Sequence, residues 1–83
     1  MKNLILADQA KTDLDRLDRA TRLRVTAAIQ RMAGTGAGNI KKLQGINPPE
    51  YRLRVGDFRV RFSQPDGETI RVNRVQNRRE AYR

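Results

Sequence analysis

Tyr51-Arg-Leu-Arg-Val-Gly-Asp-Phe-Arg-Val-Arg-Phe62 alternates apolar residues with arginine on both sides of a Gly-Asp dipeptide. Period-two alternation marks a half-buried strand, and Gly-Asp suits a two-residue hairpin turn of type II′. Folding the segment at that turn sets Val55 opposite Phe58, Arg54 opposite Arg59, Leu53 opposite Val60 and Arg52 opposite Arg61. Tyr51, Leu53, Val55, Phe58, Val60 and Phe62 then share one face, and four arginines share the other. Like charges directly opposed across strands are destabilising. Two such pairs side by side, on a face where no acid is expected, point to a bound polyanion.

The whole chain leans the same way. Its 83 residues make one domain, 1–83, with 18 lysines and arginines against 9 acids, a formal charge of +9. The first fifty residues hold nine basic and five acidic groups, and the last thirty-three hold nine arginines, four acids and no lysine. Arginine grips phosphate bidentately and keeps its charge in any site. This balance favours nucleic acid or an acidic protein as partner. Cysteine is absent, so thiol chemistry and disulfides are excluded. Histidine is absent too, which removes the commonest general base and the commonest zinc ligand. No metal or cofactor is expected. The N-terminal apolar run Leu4-Ile-Leu-Ala7 is too short for a signal peptide or a membrane span, so the expected location is the cytoplasm, away from any membrane.

Outward from the hairpin, Leu4-Ile5-Leu6 reads as a short strand. Asp8 is expected to cap a helix that turns Ala10, Leu14 and Leu17 to one face and leaves Asp13, Asp15 and Arg16 outside. Asp18 or Thr21 starts a second helix, in which Val25, Ala28, Ile29 and Met32 recur at helical spacing and Gly34 is the expected stop. Gly34-Thr-Gly-Ala-Gly-Asn39 reads as a connector. A phosphate-binding glycine run needs a strand before it and a helix after it, and here a helix precedes. The remaining helix charges, Arg19, Arg22 and Arg24 among them, read as a solvated face. Pro48-Pro49 imposes an extended lead-in to the hairpin, and Gln64-Pro-Asp-Gly67 is expected to be a turn with positive φ at the glycine. Thr69 to Val75 is a further strand whose Val72 and Val75 are out of phase, the mark of a bulge or of burial on both faces. The predicted architecture is α+β: a short N-terminal strand and a two-helix hairpin packed on an antiparallel sheet completed by a three-stranded C-terminal meander.

Leu6-Ala-Asp-Gln-Ala10, Lys42-Leu-Gln-Gly45, the 51–62 block and Asn77-Arg-Arg-Glu-Ala-Tyr-Arg83, taken together, resemble the RelE/ParE toxin superfamily over nearly the whole chain. The 51–62 block and the terminal Arg-Arg-Glu-x-Tyr-Arg carry the specificity, and they look like the RelE branch, toxins of bacterial toxin–antitoxin pairs that cut mRNA in the ribosomal A site. The ParE branch, which poisons DNA gyrase, is usually less basic in this hairpin and ends differently. The resemblance implies a metal-independent endoribonuclease of the cytoplasm that inhibits translation. Its implied partners are the ribosome, mRNA and a cognate acidic antitoxin held in a hetero-oligomer. The alternatives are a gyrase inhibitor without nuclease activity and a degenerate member that only binds its antitoxin.

Residue by residue, Arg52 and Arg54 fall where that branch places basic residues, Arg59 falls on its phosphate-binding arginine, and Arg78 and Tyr82 match its C-terminal arginine and tyrosine. These five are the candidate catalytic residues. Lys41, Lys42, Arg61, Arg79 and Arg83 are the candidate RNA contacts. Asn77 departs from the pattern, since many relatives carry histidine there and asparagine cannot be a general base. The chemistry sets its own requirements: cleavage by the 2′-hydroxyl needs that oxygen deprotonated, charge on the phosphate stabilised and the 5′-oxygen protonated. Guanidinium groups suit the second task and, with a pKa above about 12, not the others. Tyr82, Lys41, Lys42, Asp57 and Glu80 are left as acid–base candidates. Tyr82 also offers a π-face on which a base can stack.

Overall fold

In a computed structural model, residues 2–77 are described. Seven elements follow in order: β1 (Asn3–Leu6), α1 (Asp8–Asp15), α2 (Arg19–Thr35), β2 (Asn39–Lys42), β3 (Tyr51–Val55), β4 (Phe58–Asp66) and β5 (Thr69–Asn77). The strands form one sheet in the order β1-β5-β4-β3-β2. The α+β architecture, the two helices and the meander β3-β4-β5 follow the sequence expectation. Two features were not anticipated. Strand β1 pairs with β5 in parallel, which makes the sheet mixed. Asn39–Lys42 forms an edge strand antiparallel to β3 rather than continuing a loop.

The β3–β4 hairpin has the expected register throughout, from Tyr51↔Phe62 to Val55↔Phe58. Gly56 turns with φ at +57° and no non-glycine residue among those described has positive φ, the pattern of a type II′ turn. The core packs Ala10 and Leu14 of α1 and Val25, Ile29, Met32 and Ala33 of α2 against Leu53, Val55, Val60, Phe62, Ile70, Val72 and Val75 of the sheet. Tyr51 and Phe62 stack with ring centroids 5.5 Å apart. The turn expected at Gln64–Gly67 lies further on. Strand β4 runs through Pro65 to Asp66, with its ladder irregular between Ser63 and Asp66, where a proline is tolerated. The chain reverses at Gly67 and Glu68 without positive φ at the glycine. The Asp66 carboxylate accepts from the Glu68 N–H at 2.8 Å and organises the turn in its stead.

Both helix ends differ in detail from expectation. Ala7 is the N-cap of α1 and makes no side-chain cap bond, with Asp8 at the first helical position, where an acid still faces the positive end of the helix. Asp18 does cap α2, accepting from the Thr21 N–H at 3.1 Å. Helix α2 passes through Gly34 and ends at Gly36, whose φ of +76° provides the left-handed cap. Two positions on, a Cβ at Gly38 would fall 2.6 Å from Leu53 Cδ1, so the connector's glycine makes room for a core side chain.

The largest correction concerns Asp13, expected in solvent and found buried. Its cause is a bulge, one of the two readings that the phase of Val72 and Val75 left open. The register shifts so that Phe62 faces Val72 while Arg61 faces Arg74, leaving Asn73 as the extra residue. Valines at 72 and 75 thereby both point into the core. Asp13 Oδ2 accepts from the Val75 N–H at 2.9 Å and from Arg74 Nε at 3.0 Å, while Oδ1 accepts from Gln9 Nε2 at 3.0 Å. One carboxylate thus ties α1 to the bulged strand. Burial raises its pKa, but the Val75, Arg74 and Gln9 hydrogen bonds and the Arg74 charge outweigh this, and the net position is below the ordinary 3.8.

A folded-state pKa below the unfolded value means stability that is full above 3.8 and lost as pH falls through the folded pKa. Asp13→Ala leaves a buried N–H unpaired and is expected to cost about 1–3 kcal/mol at neutral pH. Urea melts of both proteins across the acid range should show that gap narrowing below pH 3.8. A gap that is constant with pH would mean that the carboxylate's charge plays no part.

Candidate nucleic-acid interface

The apolar side chains of β3 and β4 point towards the helices, so strand pleating sends their alternate residues to the open face. Arg52 lies opposite Arg61 and Arg54 opposite Arg59, as the sequence predicts. The edge strand extends this face, with Lys41 opposite Arg52 and Asn39 opposite Arg54. Lys42 is opposite Tyr51 and has the other parity, so of the two lysines Lys41 alone shares the arginine row. On the far side Gln76 pairs with Arg59. The last described residue, Asn77, pairs with Phe58, one position from Arg59. Arg78, Arg79, Tyr82 and Arg83, together with Glu80, lie outside the described residues.

The four arginines are not equivalent. Arg52 Nη1 donates to the backbone oxygen of Asn39 at 3.4 Å and to its Oδ1 at 3.5 Å, bracing the edge strand. Arg61 Nη2 meets Glu50 Oε2 at 2.9 Å. Glu50 is an acid on a face where none was expected. The same alternation contains its signal, because Glu50, Arg52 and Arg54 have one parity. Glu50 Oε1 in turn accepts from Asn73 Nδ2 at 3.3 Å, and the same nitrogen reaches Ser63 Oγ at 3.3 Å. Among the described residues no hydrogen bond or ion pair holds Arg54 or Arg59. The Nε of Arg59 is buried without a partner, as is that of Arg61. A buried N–H of a charged group is costly to leave unpaired, and an anion on this face is a physical means of pairing it.

Of the acid–base candidates within the described residues, Asp57 is exposed in the hairpin turn and Lys41 is exposed on the edge strand. No group of His, Cys, Asp and Glu that could hold a metal exists among the described residues. No described helix is long and apolar enough to cross a membrane. Arg24 sits over the hairpin turn, where a Cβ at Gly56 would come 2.7 Å from its guanidinium nitrogen.

The chain matches the family model of the ParE toxin of type II toxin–antitoxin system, parDE, over residues 4–82. No curated protein matches it by sequence. Among solved structures it is similar to a RelB-RelE antitoxin–toxin complex from Methanococcus jannaschii, at 27% identity over 94% of each chain and a TM-score of 0.76. A RelE-RelB complex from Pyrococcus horikoshii OT3 aligns at 20% identity over 93% of this chain and 94% of that one, with a TM-score of 0.75. The isolated E. coli RelE toxin aligns at 17% identity over 99% and 96%, with a TM-score of 0.72.

Multivalent oxyanions are expected to stabilise the free protein beyond any screening effect, because two cross-strand arginine pairs repel in its absence. A phosphate site with a dissociation constant of about 1 mM gives about 1.4 kcal/mol at ten times that concentration. For a domain of this size that raises the melting temperature by roughly 6–11 °C. Sodium chloride at matched ionic strength is the control, and equal stabilisation by both salts would show an ordinary solvated surface. An Arg54→Gln, Arg59→Gln double variant should melt higher than the parent and respond less to phosphate.

Proposed function

The chain belongs to the ParE toxin family of type II toxin–antitoxin systems, and from that premise we propose that it acts in the RelE manner, cleaving mRNA on the ribosome and so stopping translation. The observation that carries this reading is the open arginine face, where Arg54 and Arg59 stand opposite each other and, among the described residues, have no hydrogen-bond or ion-pair partner, with Arg59 Nε buried. A gyrase-binding surface has no chemical need for a phosphate grip of this kind, whereas a nuclease does.

In the proposed mechanism Arg59, joined by Arg78, holds the scissile phosphate and stabilises the charge that builds on it as the 2′-oxygen attacks. Arg52 and Arg54 lower the cost of a deprotonated neighbour through their positive potential. Tyr82 stacks on a base or relays a proton. No strong base at neutral pH stands among these groups, and the ribosome supplies what they lack by holding the message in line for attack. Positioning of this kind lowers a barrier by roughly 7–11 kcal/mol. The antitoxin partner of such a toxin is best read as acidic, since a net +9 protein associates fastest with a negative segment.

The matched family model is named for ParE toxins, the branch that the sequence resemblance associates with poisoning of gyrase, and this favours one second reading, inhibition of gyrase. Induced expression separates the two. Arrest of protein synthesis before DNA synthesis is the expected result, and early arrest of DNA synthesis with induction of damage repair would favour gyrase. Purified protein should cut ribosome-bound message and leave free mRNA largely intact. Arg59→Ala should lower cleavage about 100- to 1000-fold, the scale for losing one preorganised donor to a developing oxyanion, with its melting temperature unchanged or raised. A sharp fall in melting temperature would place Arg59 in the fold rather than in the chemistry.

A further inference from the structure

Arg59 and Arg61 lie two residues apart on β4, face the same way and each oppose an arginine of β3. Each buries an Nε that has no partner among the described residues. What distinguishes them is Glu50. Its carboxylate is 2.9 Å from Arg61 Nη2, with the two side chains 18% and 30% exposed, so the pair is largely withdrawn from water and only weakly screened. The carboxylate is also fixed from its other oxygen, which accepts from Asn73 Nδ2 at 3.3 Å. Asn73 is the extra residue of the β5 bulge and is anchored in turn to Ser63. A phosphate arriving at Arg61 meets a carboxylate already seated there and is repelled by it. One arriving at Arg59 meets no acid among the described residues.

From this geometry, and resting on the proposed reading of the face as a nucleic-acid site, we propose that Glu50 is a positioning residue that closes the anion site at the Arg61 end, committing Arg61 to the sheet and leaving Arg54 and Arg59 as the phosphate contacts. The site is thereby confined to the half of the face nearer the Gly56 turn. Removing the Glu50 charge should release Arg61 and lengthen the row that nucleic acid can occupy.

The salt dependence of binding counts phosphate contacts, with a slope of log K against log salt of about 0.7 per contact for a single strand. A ten-nucleotide 2′-O-methyl oligouridylate, which lacks the attacking hydroxyl, serves as the probe. Arg59→Gln should reduce the slope by about 0.7, Arg61→Gln should leave it unchanged and Glu50→Gln should increase it by about 0.7. The double variant Glu50→Gln, Arg61→Gln should return to the parental slope, and Glu50→Asp should retain it. A merely structural Glu50 would lower the melting temperature without moving the slope, and that result overturns the inference. So does an Arg61→Gln slope that falls as far as that of Arg59→Gln, a comparison that decides the matter even if Glu50→Gln does not fold. If Arg61→Gln and Glu50→Gln fail their expectations while Arg59→Gln meets its own, only the role of Glu50 is lost. If Arg59→Gln also leaves the slope unmoved, the anion face falls and the inference falls with it.

Discussion

The pleat of the β3–β4 hairpin is the constraint from which the rest of the molecule follows. Leu53, Val55, Val60 and Phe62 are each at most 8% exposed, and burying side chains of that size is worth about 1.5–3 kcal/mol apiece. Strand side chains alternate, so a one-residue slip would send every one of them into water. The same alternation leaves no freedom to the residues between. Arg52, Arg54, Arg59 and Arg61 must stand on the open face in like-charged pairs because the core fixes the register. Repulsion between half-exposed arginines, roughly a few tenths of a kcal/mol to 1 kcal/mol per pair, is too small to shift it.

A second constraint secures the other half of the sheet. Strand β5 carries apolar residues at 72 and 75, a spacing that no regular strand can bury on one side. The bulge at Asn73 resolves the mismatch and takes Val75 out of simple alternation. Asp13 answers it with a charge-assisted bond to the Val75 N–H and another to Arg74. The device that lets β5 bury both valines is therefore the same one that locks α1 in place. It also turns the extra residue, Asn73, towards Glu50. Packing on the helix side and electrostatics on the open side meet in three consecutive residues of one strand.

Charge on the open face is consequently graded rather than uniform. Arg52 leans on the edge strand and Arg61 on Glu50, while Arg54 and Arg59 stand at the end nearer the Gly56 turn without an acid among the described residues. A net charge of +9 explains attraction to polyanions at long range. It says nothing about where one phosphate would sit. That is decided by which guanidinium groups the fold has already used.

The sequence alone determined the hairpin, its turn and its register, and narrowed the α2 cap to Asp18 or Thr21 and the odd phase of β5 to a bulge or burial on both faces, since each is set by neighbours in the chain or by a strict period of two. It also determined that four arginines share a face. The tertiary structure decided what depends on residues far apart. Asn39–Lys42 has one apolar residue, Ile40, and is a strand because β3 offers it an unpaired edge, not because of its own pattern. Asp13 looks like a solvated helix charge and is buried because a backbone N–H 62 positions away needs an acceptor. Glu50 had the parity of the arginine row in plain view, but its pairing with Arg61 and Asn73 spans 11 and 23 positions. Local periodicity is written in the chain because pleat and helix repeat every few residues. The partners of individual charges are not, because they are chosen by desolvation and by unpaired groups that exist only once distant strands have come together.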